Sequence, residues 1–515
     1  MGSEFYLPLK SDVGIQRDGT KFDSTLHNSG SMVRFYRDRP QKIGGWQLIA
    51  NGNDEIIRTL YNYDSDGFSY IYIGRPSTLS FLQVFPNLLT SPETFCTPAD
   101  FDASVQNDWV FDSVTYGSLE AGRVTYVVAS CAPNIIDEGD TTEKPVYYGV
   151  LGASDAFVPM TYGVDGDDVV TSGGIVVIGP YIVVFGTGGI LFWNDGSDFT
   201  TWPTGNFFPL GSSKYICAGV VRSGNSASAL FWSLEACAIG YIDTSTSENT
   251  LLFANVSTRS TLMSSKSVVS LDPCFYWVGN DSFWLYNGSV QELPNTTNKK
   301  WFFDNINPYQ KSKTFGWVNT KYNEIWFCFC YGDATEPNHA IYYNIDSGKW
   351  ADTDQINRSA ALPSGSVVPY PIMSSSQVVK NGGNSLYPLY AHEIGTDQVQ
   401  FGVTTPIVAY IESTYYNQWT NSPPGTVLEI DSVIPDIEQT GAMYFYIKSL
   451  AYPNSTVQQS DNFDFLNTDQ FKTVQIKASI FSITFVSNVI GGNFIMGNTM
   501  LHMKVADDQR PGPSS

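Results

Sequence analysis

The sequence predicts an all-β protein: a β-propeller of about five or six irregular blades with an additional C-terminal β-rich module. Three observations predict this fold class. Short aromatic and β-branched runs alternate with Gly, Asn and Asp clusters, which is typical of strands joined by tight turns. Comparable groups of these runs recur at intervals of roughly 40 to 60 residues, the period expected of propeller blades. The chain also contains 44 Gly, 27 Pro, 32 Phe, 30 Tyr and 12 Trp, the turn-rich and aromatic-rich balance of all-β proteins.

The clearest group of strands lies between residues 275 and 350. Its strand-like runs are Phe275 to Val278, Phe283 to Tyr286, Lys313 to Val318, Glu324 to Phe329 and Ala340 to Asn344. The stretches between them, such as Asn287-Gly288, consist of residues that tolerate the positive φ of hairpin turns. One antiparallel sheet cannot bury both of its faces alone, so we expect neighbouring sheets of the same kind beside it.

The strand rhythm divides the chain into five parts. Residues 44–360 are predicted to form the propeller, and residues 1–43 an N-terminal segment that contributes to it. Residues 361–400 are rich in Pro, Gly and Ser and are predicted to be connecting loops. Residues 401–505 are predicted to form either a small sandwich-like module or the closing blades, and residues 506–515 a flexible tail. Because no repeated signature marks the blades, a β-helix or tandem sandwiches are alternatives to the propeller.

The charge of the chain limits its partners. The 50 acidic residues exceed the 28 Lys and Arg, and the formal net charge is −22. A surface with this balance repels nucleic acid, which excludes a clamp that grips DNA by neutralising phosphates. A passage that DNA must traverse quickly is compatible with the charge, because such a passage works better if DNA does not adhere to it. General solubility explains the charge equally well.

Neither a membrane span nor a disulfide framework is expected. No apolar run reaches the roughly 18 to 20 residues that cross a bilayer, and the N-terminus lacks a basic segment followed by an apolar one. The seven Cys are odd in number, widely scattered and mostly within apolar runs. Buried free thiols are therefore favoured over disulfides, and for Cys328 and Cys330 a core role is favoured over a metal site.

Motifs for catalysis or cofactor binding are scarce. The four His (27, 339, 392 and 502) are not at metal-ligand spacing, and the chain has no His-Glu-x-x-His, Gly-x-Ser-x-Gly or Cys-x-x-Cys motif. No enzyme activity, cofactor or metal is predicted. A propeller glycosidase would need carboxylates from different blades to converge near the axis, and the sequence offers no means of choosing among its many Asp residues.

Three acidic turns could supply the clustered oxygen ligands that calcium prefers. They lie at residues 64–67, 165–168 and 194–198. None of them continues to a Glu at the twelfth loop position, so ordinary polar turns are the favoured interpretation.

Basic residues are concentrated in one segment near the N-terminus. Arg34, Arg37, Arg39 and Lys42 stand together in a chain that is otherwise poor in basic residues. One interpretation directs them at a phosphate or carboxylate ligand. The other, which we favour, pairs them with Asp and Glu residues at the end of a sheet.

Loose aromatic motifs at both ends and in the centre of the chain carry a resemblance to a known family. The first segment contains Arg34 and Phe35, then Pro40, Lys42, Gly44 and Gly45; the central series contains Trp277, Asn287, Gly288, Asn307, Glu324, Trp326 and Trp350; the closing segments are 481–485 and 494–497. In this order they resemble the nozzle or hub proteins of short-tailed bacteriophages (podoviruses), similar to tail tubular protein B and the packaged-DNA stabilisation proteins. Trp46 and the segment from Tyr36 to Arg39 depart from the family pattern.

The resemblance implies a structural role in the virion. It implies a β-propeller with extra β modules, made in the host cytoplasm and assembled as a hexameric ring in the viral tail. The expected partners are an adaptor or gatekeeper ring, to which residues 1–43 could contribute a contact, and tail fibre, spike or needle proteins, with double-stranded DNA passing transiently during retention and ejection. No catalytic residue is implied. The alternative is a carbohydrate-binding or glycan-degrading β-propeller.

Overall fold

The computed structural model describes most of the chain. The residues described are 4–20, 22, 24–65, 67–102, 108–118, 122–132, 143–162, 170–198, 201–210, 214–221, 227–243, 245, 250–417 and 426–506. The predicted tail beyond Ala506 and the acidic turn at 165–168 lie outside them.

Six consecutive four-stranded antiparallel sheets form blades 1 to 6 of a β-propeller, which confirms the predicted fold class. In each blade the four strands pair in chain order. The first strands of blades 1 to 4, and those of blades 5 to 7, pack side by side, and the first strand of blade 7 packs against that of blade 1. Blades 4 and 5 share a core through Trp232 and Trp277. The sheets therefore close into a ring around an axis lined by first strands.

The strand bounds follow the chain. Blade 1 comprises Thr59–Ser65, Phe68–Gly74, Leu79–Val84 and Thr94–Phe95; blade 2 Trp109–Ser118, Gly122–Cys131, Val146–Val150 and Val158–Pro159; blade 3 Thr171–Ile178, Tyr181–Gly186, Ile190–Trp193 and Phe207–Pro209; blade 4 Tyr215–Val221, Ser228–Ser233, Cys237–Asp243 and Thr250–Ser257; blade 5 Val268–Leu271, Cys274–Val278, Phe283–Tyr286 and Val290–Glu292; and blade 6 Phe315–Asn319, Glu324–Phe329, His339–Asn344 and Lys349–Thr353.

Blade 7 closes the ring with strands from two distant parts of the chain. Its inner strands are Arg358–Leu362, Ile372–Ser375 and Leu389–His392, and its fourth strand is Trp46–Ala50, paired antiparallel to the third. Asp397–Gln400 then pairs parallel to Trp46–Ala50 and extends the sheet to Val403–Pro406.

Two expectations are corrected by blade 7. The propeller has seven blades rather than five or six, because the last blade combines strands from opposite ends of the sequence. The segment 361–400 is not a set of connecting loops, since it contains two inner strands of that blade and a small hairpin, Val379–Asn381 with Asn384–Leu386. Its Pro, Gly and Ser residues occupy the connections between short strands.

Turn residues lie where the sequence places them in blades 5 and 6. Gly288 has φ of 102° between the third and fourth strands of blade 5, and Asn323 has φ of 51° between the first and second strands of blade 6. Both conformations fall in the left-handed region that Gly and Asn adopt most readily.

Both ends of the chain build a β-sandwich beside the propeller. One sheet pairs, in order, Lys472–Ala478, Leu428–Thr440, Asn493–Val505, Arg39–Lys42 and Val33–Tyr36, with Glu4–Leu9 on Asn493–Val505; the other pairs Ser29–Ser31, Ala409–Glu412, Ile480–Ser487, Met443–Leu450 and Gln458–Gln459, with Tyr416–Asn417 and Phe463–Phe465 at its margins. The N-terminal segment is thus mainly part of the sandwich. Asp12–Ile15 and Leu26–His27 form a separate parallel pair.

The sandwich and the propeller share one continuous hydrophobic core. Phe445 and Phe485 between the two sandwich sheets belong to the same buried cluster as Trp317 and Trp326 of blade 6 and Tyr390 of blade 7. The Tyr342 hydroxyl of blade 6 donates a 2.9 Å hydrogen bond to the Val33 carbonyl of the sandwich. The two parts therefore pack as one body.

Helical structure in the described residues is short. One α-helix, Lys299–Asn305, and a 3₁₀ segment, Pro308–Lys313, link blades 5 and 6, and a 3₁₀ turn, Thr187–Gly189, lies in blade 3. Within the described ranges, no helix has the length and apolar character needed to traverse a bilayer.

Candidate functional site

Several residues of the family-like motif meet where the sandwich contacts blades 6 and 7. Arg34 of the sandwich is fully buried; its Nη1 donates to Glu393 Oε2 at 3.0 Å and its Nη2 to Glu393 Oε1. Its Nε lies 3.4 Å from Glu324 Oε1 of blade 6, and its guanidinium lies over the Tyr322 ring at 3.6 Å. We call Arg34, Glu324 and Glu393 the buried junction. It joins three parts of the fold through a single guanidinium.

The two carboxyl groups of the junction differ in their partners. The Glu393 carboxylate accepts hydrogen bonds from both Nη atoms of Arg34. It also accepts from the Asn319 side-chain amide at 3.1 Å and from the Gly44 backbone N–H at 3.2 Å. Glu324 receives Trp326 Nε1 at 3.0 Å. Burial raises the pKa of Glu324 to about 7, although Arg34 opposes the shift. Arg34 therefore binds Glu393 through both Nη atoms and approaches Glu324 through Nε alone, and burial favours the protonated form of Glu324.

The two glycines after Lys42 allow the chain to pass close to the junction. A Cβ on Gly44 would lie 2.5 Å from Glu393 Oε2, and a Cβ on Gly45 would lie 2.2 Å from the Asp397 carbonyl oxygen. Gly45 also exchanges backbone hydrogen bonds with the turn that contains Ile394 and Gly395. The Gly-Gly pair is explained by this close approach of two backbones.

The rest of the N-terminal motif holds the sandwich together. Lys42 Nζ donates to the Gly492 carbonyl at 2.8 Å, and burial lowers the pKa of Lys42 to about 8. Phe35 lies 5.2 Å from the His27 ring, and Pro40 pairs opposite Phe35 in the hairpin. These contacts are structural.

The remaining motif residues support blades 5 and 6. Trp326 stacks on Tyr342 at 4.5 Å and on Trp317 at 5.5 Å. Trp277 donates to the Thr261 carbonyl and Trp350 to the Pro294 carbonyl; Asn307 caps the 3₁₀ segment, and Asn287 and Gly288 form an exposed turn. The structure gathers Arg34, Gly44, Glu324 and Trp326, and places these other residues elsewhere.

A second charged network lies at the end of the propeller axis where the first strands begin. Arg58 and Asp108 immediately precede the first strands of blades 1 and 2, and Lys266 and Lys313 precede those of blades 5 and 6. Glu336 belongs to the connection between the second and third strands of blade 6. We call these five residues the axial network.

Ion pairs of the axial network join blades that are not neighbours. Lys266 Nζ of blade 5 lies 2.9 Å from Asp108 Oδ2 of blade 2, and also 3.5 Å from the Arg58 carbonyl oxygen of blade 1. Arg58 binds Glu336 with two contacts of 2.6 and 2.8 Å, and Lys313 Nζ lies 2.8 Å from the same carboxylate. In a ring of seven blades, a contact between blades 2 and 5 must reach across the axis. The network therefore spans this mouth of the propeller.

The axial carboxylate of Glu336 is held in its ionised form. Burial alone would raise the pKa of Glu336, but hydrogen bonds and charge pairing with Arg58 and Lys313 outweigh burial and lower that pKa. Nearby, burial raises the pKa of Cys330 to about 12, so this thiol stays protonated at neutral pH. The ionised Glu336 carboxylate keeps its ion pairs with Arg58 and Lys313, and these pairs brace the blades. Glu336 is a poor proton donor in this state, and the protonated Cys330 is a poor nucleophile.

Sequence reasoning missed the axial network and Glu393. The available signal was positional: Arg58, Asp108, Lys266 and Lys313 each stand one or two residues before the first strand of a group. Without knowing which strands are innermost, nothing distinguishes these residues from other charges next to strands.

In the two predicted acidic turns that the structure describes at least in part, aspartates accept hydrogen bonds from within the chain. Asp64 Oδ2 accepts from the Ser366 hydroxyl at 2.6 Å, and Asp195 Oδ1 accepts from the Ser197 N–H at 2.8 Å. All seven Cys are free thiols, and Cys328 and Cys330 are buried.

One group with metal-ligand chemistry is brought together by the sandwich. Glu4, Asp431 and His502 place ligand atoms within 4.8 Å of one another. Lys504 Nζ already lies 3.2 Å from Asp431 Oδ1 and 3.3 Å from Glu429 Oε1, so the ammonium group of Lys504 supplies the positive charge that a metal ion would bring to these carboxylates. An ion-pair cluster describes these residues better than a cation site.

Comparisons with solved structures find distant likeness at low sequence identity. No family model and no curated protein matches the chain. Among solved structures, the BBS1N chain from a complex with ARL6DN is similar over 68% of this chain and 97% of its own, at 10% identity and a TM-score of 0.37. BamB from Moraxella catarrhalis is similar over 76% and 97%, at 10% identity and a TM-score of 0.34. Raptor from Chaetomium thermophilum is similar over 68% of this chain, which spans 29% of that chain, at 8% identity and a TM-score of 0.39.

Proposed function

We propose that the chain is a structural subunit of a short-tailed phage tail, which assembles with copies of itself into a nozzle ring that retains and releases genomic DNA. The proposal originates in the motif resemblance. The observation that supports it most directly is the axial network. Ion pairs between residues of blades 1, 2, 5 and 6 hold the mouth of the propeller together, which suits a rigid structural subunit.

In such an assembly, we propose that DNA passes outside the propeller itself. A 2.9 Å contact across the axis leaves no room for duplex DNA, whose major groove alone is about 12 Å wide. The passage must then be the central opening between subunits, with each propeller serving as a solid wall. A net charge of −22 per chain keeps that wall from adhering to phosphates.

Ring assembly tests this proposal. We expect the purified chain, alone or mixed with the adaptor ring of its phage, to give a particle of one fixed multiple of the monomer mass in light scattering and native mass spectrometry. Electron microscopy of virions should place the particle at the tail. A chain that stays monomeric with its adaptor ring, or that maps to the capsid exterior, would overturn the proposal.

The second candidate, a glycan-degrading propeller, is favoured by one observation. Two carboxylates from different blades, Asp108 and Glu336, belong to the axial network. Their ion pairs argue against a proton donor there, since one member of a glycosidase carboxyl pair must carry a proton. Depolymerase activity that is lost in Glu336→Gln would establish this candidate.

A further inference from the structure

A cleft of about 280 Å³ opens between the two sheets of the sandwich. Ile483 and Phe485 from one sheet and Met496 from the other line it, and the hairpin tip Arg37–Arg39, Lys10 and Asp436 bring charged side chains to it. Its volume is close to the lower end of the range of small-ligand sites.

Three cations of the cleft have no acidic partner. The described residues provide no ion pair for Lys10, Arg37 or Arg39, whereas Arg17, Arg34, Arg58 and Arg75 are all paired with carboxylates. Asp38, between the two arginines, forms no ion pair with either. Two carboxylates, Asp38 and Asp436, also line the cleft, so its cations outnumber its carboxylates by three to two and the cleft keeps a positive charge in a chain with a net charge of −22.

The hairpin tip is held in position by aromatic contacts. Arg37 lies 5.1 Å over the Tyr36 ring, Tyr36 meets the edge of Tyr322 at 5.2 Å, and Arg34 of the buried junction lies over the same Tyr322 ring. Arg37 and Asp38 have φ of 51° and 61°, a left-handed pair that Asn-Gly would adopt at lower cost. Arg37 and Asp38 therefore occupy backbone positions at which Asn and Gly are favoured.

His27 lines the cleft as a buried ring that is bound to its own part of the chain. The side chain is 8% exposed. Burial lowers the pKa of His27 to about 4, so the ring is neutral at physiological pH. Nδ1 lies 3.0 Å from the Asp12 carbonyl, and the ring also forms a hydrogen bond with the Gly14 backbone. His27 therefore shapes the wall of the cleft.

The cleft offers side chains rather than a free strand edge. Ile480–Ser487, which carries Ile483 and Phe485, is paired on both sides, and so is Asn493–Val505, which carries Met496. An added peptide strand would find no unpaired backbone ladder on these walls. A compact ligand recognised by side chains fits this geometry.

We propose that the cleft binds a carboxylate-bearing, polyhydroxylated ligand: an acidic monosaccharide unit of the uronic or sialic acid type. The guanidinium groups of Arg37 and Arg39 and the ammonium of Lys10 receive the carboxylate, because planar guanidinium forks match its geometry. Asp38 and Asp436 accept hydrogen bonds from ring hydroxyls, and the exposed amide of Asn498 provides both a donor and an acceptor. This site lies on the sandwich and does not depend on the proposed nozzle function.

Binding of defined sugars to the full-length chain tests the site. Glucuronate and N-acetylneuraminate are titrated by calorimetry and by saturation-transfer NMR, with glucose as the neutral counterpart and acetate and phosphate as simple anions. We expect at least one sugar acid to bind with Kd below about 10 mM, and glucose and acetate to bind at least about tenfold more weakly.

Variants distinguish this site from general charge attraction. The double variant Arg37→Gln/Arg39→Gln should lose about tenfold or more in sugar-acid affinity, since it removes charge-assisted hydrogen bonds. Arg259→Gln, which removes an exposed arginine from a propeller turn, is the matched control and should bind as the unmodified chain does. Thermal unfolding checks that both variants are folded, and Asn498→Ala provides a second variant at an exposed position.

Three outcomes would overturn the proposal. They are the absence of binding by both sugar acids at about 10 mM, equal binding of acetate or phosphate, and loss of affinity in Arg259→Gln as large as in the double variant.

Discussion

Glu324 and Glu393 share a single buried guanidinium, so the buried junction contains two carboxyl groups and one cation. Arg34 is fully buried and is satisfied mainly by Glu393. Removing the cation would leave Glu393 buried without its counter-ion, which costs more than the pair itself contributes.

Arg34→Met is therefore expected to lower the free energy of unfolding by about 3–5 kcal/mol. Denaturant titration measures the change. The matched control is Lys300→Met, which removes an exposed i,i+4 pair with Asp304 and should leave the denaturation midpoint unchanged. Equal effects in the two variants would contradict the importance assigned to burial.

The raised pKa of Glu324 predicts a pH dependence of stability. Its folded-state pKa of about 7 exceeds the ordinary value of 4.5, so its contribution is fully present below about pH 4.5 and is lost as the pH rises through about 7. Glu324→Gln removes this titration. We expect the unmodified chain to lose stability relative to Glu324→Gln between pH 5 and 7.5, measured by denaturant titration across that range. A constant difference between the two would show that Glu324 is ionised throughout.

At the scale of elements, the Gly44–Gly45 pair controls how the fourth strand of blade 7 enters its sheet. Trp46–Ala50 begins directly after Gly45 and pairs with Leu389–His392 on one side and Asp397–Gln400 on the other. The backbones on either side of the Gly pair are too close for a side chain.

Gly45→Ala is expected to destabilise the fold by about 1–3 kcal/mol or more, because its Cβ would lie 2.2 Å from the Asp397 carbonyl oxygen and the strand would have to shift. Gly205→Ala is the control, since a Cβ there meets no atom within 4 Å. Thermal unfolding of both variants checks this. An unchanged melting temperature in Gly45→Ala would mean that the turn at Ile394 moves at little cost.

At the scale of the whole molecule, the axial network links blades that the chain itself does not join. Lys266 and Asp108 are 158 residues apart, yet their side chains touch. The pair is largely shielded, with side-chain exposures of 16% and 23%, so its charges are screened less by solvent than those of a surface pair.

A double-mutant cycle with Lys266→Met and Asp108→Asn should give a coupling free energy of about 1–2 kcal/mol. The Lys299–Glu292 pair, exposed by 35% and 51% within one part of the propeller, is the comparison and should give less than about 0.5 kcal/mol. Equal coupling in the two cycles would remove the argument that the mouth is braced across the axis.

The sequence by itself determined the fold class of this protein, five of the eight strands of blades 5 and 6, and the burial of six of its seven thiols, because these depend on local alternation, turn chemistry and hydrophobicity. It did not determine the seventh blade, whose strands come from residues 46–50 and 358–392, nor the contacts of Arg34 with Glu393 and of Lys266 with Asp108. Only the tertiary structure decided these, since strand closure and ion pairing between residues more than 150 positions apart leave no local pattern in the chain.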